Sequence, residues 1–286
     1  MMLCGLGVML YPTVSDWWNT MHQARLVTDY TAKVQEMSTA EYEDFLEKAQ
    51  AYNEALNQLS FPFSEHSTLE SQYLDALDIS GNGMMGYISI PKINIELPIY
   101  HGTSDSVLNS AAGHLEGSSL PIGGESTHAV ISAHRGLPTA KLFTDLNELQ
   151  EGDIFTITIL NETLTYQVDQ ILIVDPTQME ALNVIPGEDH VTLMTCTPYG
   201  INTQRLFVRG IRVPNEDVEA ILASDAYKIP TYILVFGFGI PMLFILLIIL
   251  LIHYSRRNFF IKATDMEAEI SKYLGEEEVE KKPEKE

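Results

Sequence analysis

The sequence predicts a mainly β domain, a small closed barrel or a sandwich, that follows a helical region and precedes a transmembrane helix. About eight short β-branched runs, separated by Gly, Pro, Asn and Asp, begin near Met85, and this spacing is typical of compact all-β domains. Before them, apolar residues recur at helical intervals. After them, residues 232–252 form an uncharged run of 21 residues, which is long enough to cross a bilayer.

The first 80 residues fall into three predicted parts. Residues 1–11, MMLCGLGVMLY, are apolar but too short to span a bilayer, so we interpret them as the remnant of a signal peptide or anchor that begins upstream. Residues 12–60 are predicted to be helical, because the capping-box sequence STAE at Ser38–Glu41 precedes an amphipathic repeat. An earlier helix is expected over about Asp16–Gln35. Residues 61–80, with a proline and several serines, are predicted to form a linker or lid.

Residues 81–215 carry the predicted β domain, in which short apolar runs alternate with turn residues. The predicted strands are Met85–Pro91, Glu96–Tyr100, His128–His134, Ile154–Leu160, Thr163–Asp169, Gln170–Val174, Val191–Thr195 and Leu206–Pro214. Two short helices are expected between strands, at Ser106–Ala111 and Ala140–Leu149. The pattern contains no phosphate-binding glycine loop and no Cys/His set with metal-ligand spacing, so no metal and no cofactor is predicted.

The C-terminal part of the sequence predicts a membrane anchor. A helix over 232–252 would extend about 30 Å, the thickness of the hydrocarbon core of a bilayer. Basic residues follow this run without an intervening acidic residue, namely Arg256, Arg257 and Lys262. Because cytoplasmic flanks are enriched in Lys and Arg, the tail 253–286 is predicted to be cytoplasmic. The β domain is then extracellular, and 216–231 is its juxtamembrane linker.

The net charge of the chain argues against nucleic-acid binding. The chain has 39 acidic and 17 basic residues, a net charge of −22 and a pI of about 4.6, whereas a nucleic-acid-binding protein would need a basic face. Residues 12–230 carry 30 acidic and 10 basic side chains, which indicates a solvated surface and leaves open a preference for basic partners. Two cysteines are too few for a disulfide framework or a four-ligand zinc site.

Cys196 is the one thiol outside the predicted membrane segments, and two other residues accompany it as candidates for catalysis. The segment Val191–Gly210 has two apolar runs around a turn-rich stretch, which predicts a hairpin. Antiparallel pairing would place Cys196 beside Arg205, whose guanidinium favours a thiolate and can stabilise an oxyanion. His134, at the end of a predicted strand, is a candidate general acid and base. Four other histidines compete with it on spacing alone, namely His101, His114, His128 and His190.

Several motifs carry a resemblance to a known family. TLMTC ending at Cys196, Arg205 nine residues later, and SAHRG around His134 resemble the sortase signature. Longer segments are similar to the class C sortases, which polymerise pilins. These segments are GNGMMGYISIPKINIELPIYHGT (Gly81–Thr103), GHLEGSSLPIGG (Gly113–Gly124), HRGLPTAKLFTDL (His134–Leu146) and TCTPYGINTQRLFVRG (Thr195–Gly210). The resemblance extends over residues 12–255.

The resemblance implies a cysteine transpeptidase on a closed eight-stranded β-barrel. Cys196 would attack the Thr–Gly bond of an LPXTG-type sorting signal, His134 would serve as general acid and then as base, and Arg205 would stabilise the oxyanion. Thr195 and Thr197 would line the substrate site. The implied partners are the cell membrane and pilin subunits, one of which supplies an acceptor lysine for an isopeptide bond. No metal and no cofactor is implied.

The predicted lid departs from the class C pattern. These enzymes commonly carry Asp-Pro-aromatic, in which the Asp pairs with the catalytic arginine and the ring covers the cysteine, whereas this chain has Phe61-Pro62-Phe63. Phe63 is expected to cover Cys196, and Glu65 is an alternative source of the missing carboxylate. The stretch from about Thr177 to His190 corresponds to the loop that grips the sorting signal in sortases.

Two other functions stay open at this stage. A housekeeping-type sortase would use the same chemistry but would join surface proteins to a cell-wall peptide amine. A non-enzymatic pilus scaffold is disfavoured, because the cysteine, histidine and arginine of the signature are all intact.

Overall fold

The computed structural model describes residues 2–60, 62–215, 239, 241–254, 266 and 270. The chain divides into two compact units, Met1–Asp225 and Ala226–Glu286. The first unit is a closed eight-stranded barrel preceded by helices. The predicted mainly β fold with N-terminal helices is therefore confirmed, and the architecture is a barrel rather than a sandwich.

Two long helices precede the barrel, α1 (Met2–Glu36) and α2 (Thr39–Leu56). α1 includes the helix expected over Asp16–Gln35 and continues through Pro12, so no break marks the predicted boundary after residue 11. The predicted capping box begins α2. The Ser38 hydroxyl accepts from the Glu41 amide at 3.3 Å, and Glu41 Oε2 accepts from the Ser38 amide at 2.9 Å. This reciprocal pair satisfies two amides near the start of the helix.

Short helical turns occupy most of the predicted linker between α2 and the barrel. They are α3 (Pro62–Glu65), a 3-10 turn (His66–Leu69) and α4 (Glu70–Asp75). A proline begins α3, where its missing amide costs no hydrogen bond. Tyr73 fastens α4 to the barrel, because its hydroxyl accepts from the Gly102 amide at 2.8 Å and lies 3.1 Å from His114 Nδ1.

Eight strands form the barrel. They are β1 (Met84–Ile90), β2 (Ile95–His101), β3 (Ala112–His114), β4 (Thr127–Ser132), β5 (Ile154–Ile159), β6 (Glu162–Val174), β7 (Asp189–Thr197) and β8 (Gln204–Val213). Their order around the barrel is β1-β2-β3-β4-β7-β8-β6-β5, in which β2–β3 and β4–β7 are parallel neighbours. α5 (Asp105–Leu108) lies between β2 and β3. A single 3-10 turn, Leu146–Glu148, stands where a helix over Ala140–Leu149 is predicted.

The observed strands differ from the predicted ones in number at two places, and the physical reasons are local. β6 is one strand of 13 residues where the sequence predicts two, because a bulge at Asp169 interrupts the alternation without ending the pairing. β3 was not predicted, because three residues are too few to show a period. In addition, β4 ends at Ser132, two residues before its predicted end at His134.

The barrel interior holds the main apolar core. Strand alternation sends every second side chain inward, and the fully buried members include Ile88, Ile99, Ile131, Ile157, Leu193 and Val208. Burying such a side chain contributes about 1.5–3 kcal/mol. Tyr30 joins α1 to the barrel, because its hydroxyl donates to the Met85 carbonyl at 2.9 Å and accepts from the Leu160 amide at 2.8 Å. Asn53 of α2 bonds to both backbone groups of Leu120, at 3.2 and 2.7 Å.

A second apolar cluster, termed the outer cluster, lies on the outer face of β4, β7, β8 and β6. Val130 and Phe207 alternate with interior residues of their strands, so they project away from the barrel core. Leu182, from the loop between β6 and β7, is buried against them. The partly buried members are Phe63, Leu115, Leu172, Val174, Met179, Ala181 and Met194. Met194 brings the cluster to within two residues of Cys196 along β7.

The second unit is described at 239, 241–254, 266 and 270, of which 241–254 are helical. The large apolar side chains from Met242 to Ile252 are exposed. No helix in the described part of the chain combines the length and the apolarity needed to cross a bilayer. Of the predicted transmembrane run 232–252, residues 232–238 and 240 lie outside the described residues, as do the linker 216–231 and most of the tail 253–286.

Candidate active site

The hairpin predicted around Cys196 is formed by β7 and β8. The two strands are antiparallel, and their register places Cys196 directly opposite Arg205. Opposed residues of an antiparallel pair project from the same face of the sheet. The outward-facing residues Met194 and Phe207 oppose each other in the same register. Cys196, a half-buried free thiol, and Arg205 therefore lie on the outer face of the barrel beside the outer cluster.

The parallel pairing of β4 with β7 brings His134 to the same place. Ser132 pairs with Met194, and the Ala133 amide donates to the Met194 carbonyl at 3.2 Å just beyond the strand. His134 follows Ser132 by two residues, as Cys196 follows Met194 by two, so the pairing brings His134 to the Cys196 end of β7 just beyond the end of β4. The Cys196–Arg205 pair and the segment that carries His134 therefore meet at one end of the barrel.

The four competing histidines lie away from Cys196. Two of them, His128 and His190, pair with each other at the far ends of β4 and β7. The other two, His101 and His114, lie on β2 and β3 and bond to the α4 segment. In the described ranges, no group of three or more His, Cys, Asp or Glu residues is arranged to hold a metal ion. His128 and His190 share the outward parity of Cys196 but lie at the opposite end of the β4–β7 pair, so among these five described histidines only His134 lies at the Cys196 end.

Arg205 keeps its guanidinium clear of carboxylates. In the described part of the chain, its side chain bonds only to backbone carbonyls, those of Gln204 at 3.2 Å and Asn202 at 3.5 Å. Arg209, further along β8, differs because its Nε lies 3.1 Å from each carboxylate oxygen of Asp169. A guanidinium without a carboxylate partner is available to a negative charge that develops on a substrate.

The two threonines that flank Cys196 project to the opposite face of β7. Thr195 is 2% exposed, and its hydroxyl donates to the Ala133 carbonyl at 2.8 Å. Thr197 is buried, and its hydroxyl accepts from Arg135 Nη1 at 3.0 Å. Because alternate residues of a strand face opposite sides, these side chains point away from the Cys196 face, and their part in lining the substrate site stays a prediction. They tie the end of β7 to the segment that follows β4.

Arg135 is a site residue that the sequence reasoning missed. It follows His134 directly, and its guanidinium bonds to Thr197 and, through Nε, to a backbone carbonyl of the following turn at 3.1 Å. The ring of Tyr199 lies 5.9 Å from that guanidinium and packs on Gly136, where a Cβ would come within 2.9 Å of the ring. Arg135 therefore holds the histidine turn against the cysteine strand. Its place inside the SAHRG motif is the signal that could have found it.

The predicted lid lies on the outer cluster. Phe61 is outside the described residues, and Pro62–Glu65 form α3. The Phe63 ring packs into the outer cluster, of which Met194 is the outward neighbour of Cys196 on β7. Gly117 permits this approach, because its φ is +85° and a Cβ there would lie 2.9 Å from the Pro62 carbonyl oxygen and 3.0 Å from Phe63 Cα.

Apolar packing and one histidine contact hold the lid in place. His66 Nδ1 lies 3.2 Å from the Phe63 carbonyl, and its Nε2 lies 3.5 Å from Glu116 Oε2. Among the described ion pairs, none joins Glu65 to Arg205, so the alternative carboxylate partner is not found. Within the described residues, the predicted lid therefore rests on the outer cluster, and Glu65 forms no ion pair with Arg205.

His128 joins the sheet to the loop between β6 and β7. Its Nδ1–H donates to the Asn183 carbonyl at 3.0 Å, and its Nε2 accepts from the Thr192 hydroxyl at 2.8 Å, so the neutral ring is fully hydrogen-bonded. Burial lowers the pKa of His128 to about 4. Leu182, next to Asn183, is a buried member of the outer cluster. A cavity of about 130 Å³ separates this loop from the lid and is lined by residues of both, including Phe63.

Comparisons with known proteins agree with this geometry. Residues 88–213 match the family described as "Sortase domain". The structure of sortase C1 from Streptococcus agalactiae matches with a TM-score of 0.65 and 52% identity, over 67% of this chain and 99% of that one. Sortase C of Streptococcus pneumoniae matches with a TM-score of 0.58 and 44% identity, over 66% of this chain and 97% of that one. The chain belongs to the sortase family.

The subfamily follows from the solved neighbours, whose names place them among the C sortases and whose identities of 44–52% support class C for this chain. Curated relatives are more distant. Sortase D of Bacillus subtilis (strain 168) is 31% identical over 131 residues, 45% of this chain and 63% of that protein. Sortase A of Streptococcus agalactiae serotype III (strain NEM316) is 28% identical over 143 residues, 48% of this chain and 58% of that protein. The match thus spans 58–63% of the length of these two relatives.

Proposed function

We propose that this chain is a membrane-anchored extracellular cysteine transpeptidase that cleaves an LPXTG-type sorting signal between Thr and Gly and joins pilin subunits. The observation that carries the proposal is the strand register, which pairs Cys196 with Arg205 and ends β4 beside Met194, two residues before His134. Covalent catalysis by a thiol needs a proton-transfer group and a donor for the oxyanion beside the nucleophile. These three side chains supply all three roles.

The first half-reaction forms a thioester. The Cys196 thiolate adds to the carbonyl carbon of the threonine of the signal, and the resulting oxyanion accepts hydrogen bonds from the Arg205 guanidinium. The intermediate collapses when the C–N bond to glycine breaks, and the leaving amine takes a proton from the His134 imidazolium. The threonyl acyl group is then held on sulfur.

The second half-reaction reverses the role of the histidine. An incoming amine attacks the thioester carbonyl and gives its proton to the neutral imidazole of His134, and the C–S bond breaks to release the Cys196 thiolate. The incoming amine takes the place that the glycine amine left, so one histidine serves both halves. When the amine is a lysine side chain, the product is an isopeptide bond.

The outer cluster is the proposed site for the apolar residues of the sorting signal. It adjoins Cys196 through Met194 and includes Leu182 of the loop that the resemblance assigns to signal binding. A peptide whose threonine carbonyl lies at the thiol would lay its leucine and proline on this cluster. The Phe63 ring occupies part of the same surface, so the lid must move away before the signal can bind.

The acceptor amine separates the proposed function from its alternative. Support for a pilin lysine comes from the 44–52% identity to solved C sortases, one of which was described for its pilin substrate specificity. A housekeeping-type sortase would use a cell-wall peptide amine instead. The two functions share the first half-reaction and differ only in the second.

The proposed location is the cell membrane, with the barrel outside the cell and the tail 253–286 in the cytoplasm. Support comes from the 21 uncharged residues of 232–252 and from the basic residues that follow them. The described residues 241–254 of this region are helical, and the large apolar side chains among them are exposed. An apolar helical surface of this kind suits lipid.

Incubating the full-length chain with purified pilin subunits tests the proposed function. We expect ladders that resist SDS, no ladders with Cys196→Ala or Arg205→Ala, and none with His134→Ala. A pilin without its sorting signal is the matched control. Efficient transfer to a cell-wall peptide amine without ladders would favour the housekeeping-type alternative, and ladders formed by Cys196→Ala would overturn the proposal.

A further inference from the structure

The first half of α1 has its polar and apolar sides exchanged. Polar side chains face the barrel. Ser15 and Asn19 donate to the Thr139 carbonyl at 3.3 and 2.7 Å, and Asp16 Oδ1 accepts from the Lys141 amide at 2.7 Å. One turn later, Gln23 Nε2 donates to the Ser110 carbonyl at 2.8 Å. A helix on the surface of a water-soluble domain normally does the reverse and buries its apolar side.

The apolar side chains of the same turns point outward. They are 47–68% exposed and are termed the α1 stripe: Leu10, Tyr11, Val14, Trp17, Trp18 and Met21. At 100° per residue they cover an arc of about 120° on one side of the helix, opposite the arc of the barrel-facing polar groups. Single exposed apolar residues are ordinary, but a contiguous apolar strip marks a surface that meets something other than water.

Both sides of α1 change in polarity at the same position along the helix axis. Toward the barrel, the polar groups give way to the buried side chains of Val27, Tyr30 and Val34. On the outward side, the stripe ends at Met21, and the exposed residues that continue that side are polar or small, namely Arg25, Thr28, Asp29, Ala32 and Gln35. The surroundings of the outward side therefore change from apolar to aqueous within about one turn.

We propose that the α1 stripe is a membrane-contact surface that sits in the headgroup region of a lipid bilayer. The surface of a bilayer would produce such a change, because it separates apolar from aqueous surroundings at one position along the helix. Tyr11, Trp17 and Trp18 are the side chains that favour that region, because each has an apolar ring with a polar N–H or O–H. Residues 1–15 include no charged side chain, so the turns that begin the stripe bring no charge into contact with lipid.

A second copy of the chain fits the stripe less well than a bilayer does. Residues 12–230 carry a net charge of −20, which opposes close approach of two copies. The stripe also directly follows residues 1–9, which are uncharged and largely apolar. The contact depends on apolar and aromatic side chains, so it does not require anionic lipid. It is independent of the C-terminal run 232–252 and of the proposed enzymatic activity.

The contact would hold the active-site end of the barrel near the membrane. Thr139 and Lys141, which receive the polar side of α1, lie five and seven residues after His134. The helix is fastened to the barrel again at Tyr30. Because α1 is continuous between these points, a bilayer that fixes the stripe also fixes the orientation of the barrel.

Tryptophan fluorescence tests the proposal directly, because Trp17 and Trp18 are the only tryptophans in the chain. The full-length protein is reconstituted in phosphatidylcholine vesicles that contain lipids brominated either near the headgroup or near the chain end. We expect quenching in both cases, about twofold stronger with the shallow label, since tryptophan favours the interface. The quenching should not depend on salt concentration.

A matched control uses the same helix. Replacing both tryptophans by phenylalanine and introducing Gln35→Trp moves the fluorophore about 26 Å along the same side of α1. Gln35 is exposed, and this tryptophan should escape quenching. The proposal is overturned if Trp17 and Trp18 are not quenched, if the deep label quenches them more, or if Gln35→Trp is quenched equally. Protection of the tryptophans in a dimer without lipid quenching would also overturn it and would assign the stripe to a second copy.

Discussion

Side chains along β7 point alternately to its two faces, so neighbouring residues have different roles. Cys196 and Met194 face outward, on the proposed substrate side, whereas Thr195 and Thr197 face the other way and bond to the segment after β4. These hydroxyls keep the cysteine strand in register with the turn that carries His134. A substitution at a threonine should therefore affect folding, whereas a substitution at the cysteine should affect chemistry.

Thr195→Val tests this division of tasks. The two side chains have similar shapes, but valine leaves the buried Ala133 carbonyl without its donor, so the free energy of unfolding should fall by about 1–3 kcal/mol. The KM for a sorting-signal peptide should stay unchanged, because the side chain does not reach the substrate face. Urea unfolding and steady-state kinetics measure the two quantities. A raised KM with an unchanged unfolding midpoint would show instead that Thr195 contacts the substrate.

At the scale of elements, His128 is one of the residues that fix the position of the loop between β6 and β7. His128 Nδ1–H donates to the Asn183 carbonyl at 3.0 Å, beside the buried Leu182. His128→Asn keeps an amide donor near the Nδ1 position, and His128→Gln places its amide near the Nε2 position instead. We expect the glutamine variant to raise KM several-fold with kcat retained, and the asparagine variant to resemble the native protein. Equal behaviour of the two variants would show that the Asn183 bond does not position the loop.

α3, the proposed lid, is a second element whose position depends on close packing. Phe63→Ala removes the ring from the outer cluster, and Gly117→Ala introduces a Cβ 2.9 Å from the Pro62 carbonyl oxygen. Each change should speed the reaction of Cys196 with a small thiol reagent several-fold, because burial of a Phe ring contributes only about 1.5–3 kcal/mol to closure. Leu74→Ala, at an exposed site on α4, is the control and should leave the rate unchanged. Unchanged rates in all three variants would mean that α3 does not shield the thiol.

Local sequence patterns predicted most of the helices and strands, whereas the placement of His134 and Arg135 depends on pairing between residues far apart in the sequence. The Cys196–Arg205 pair follows from a hairpin, whose partners are close in sequence. The choice of His134 over His128 follows from the parallel register of β4 and β7. These strands are separated by some 60 residues in the sequence, so the spacing of residues along the chain could not reveal their register. The role of Arg135 was equally hidden, because its partner Thr197 lies 62 residues away.

At the scale of the whole molecule, buried neutral histidines tie stability to pH. Burial lowers the pKa of His114 and of His128 from the ordinary 6.5 to about 4. The unfolded chain therefore takes up these protons first as the pH falls. The stabilisation is complete above pH 6.5 and is lost as the pH falls toward 4.

We therefore expect the free energy of unfolding to fall between pH 7 and pH 5, by roughly 2 kcal/mol for each of these histidines. His128→Asn removes one titrating group and leaves the other charges in place, so its decrease over the same interval should be smaller by about that amount. Urea unfolding of both proteins at the two pH values measures the difference. Parallel pH profiles would mean that His128 does not titrate in this window.

The central claim is that Cys196 carries the acyl group of a sorting signal, with Arg205 and His134 as its partners. Intact-mass spectrometry of the full-length chain incubated with an LPXTG-type peptide tests it most directly. We predict an adduct whose mass equals the peptide up to its threonine, located on Cys196 and released by hydroxylamine as expected of a thioester. Arg205→Ala should form it far more slowly, and Cys196→Ala should not form it at all. Cleavage of the peptide by Cys196→Ala, or an adduct on any other residue, would contradict the account.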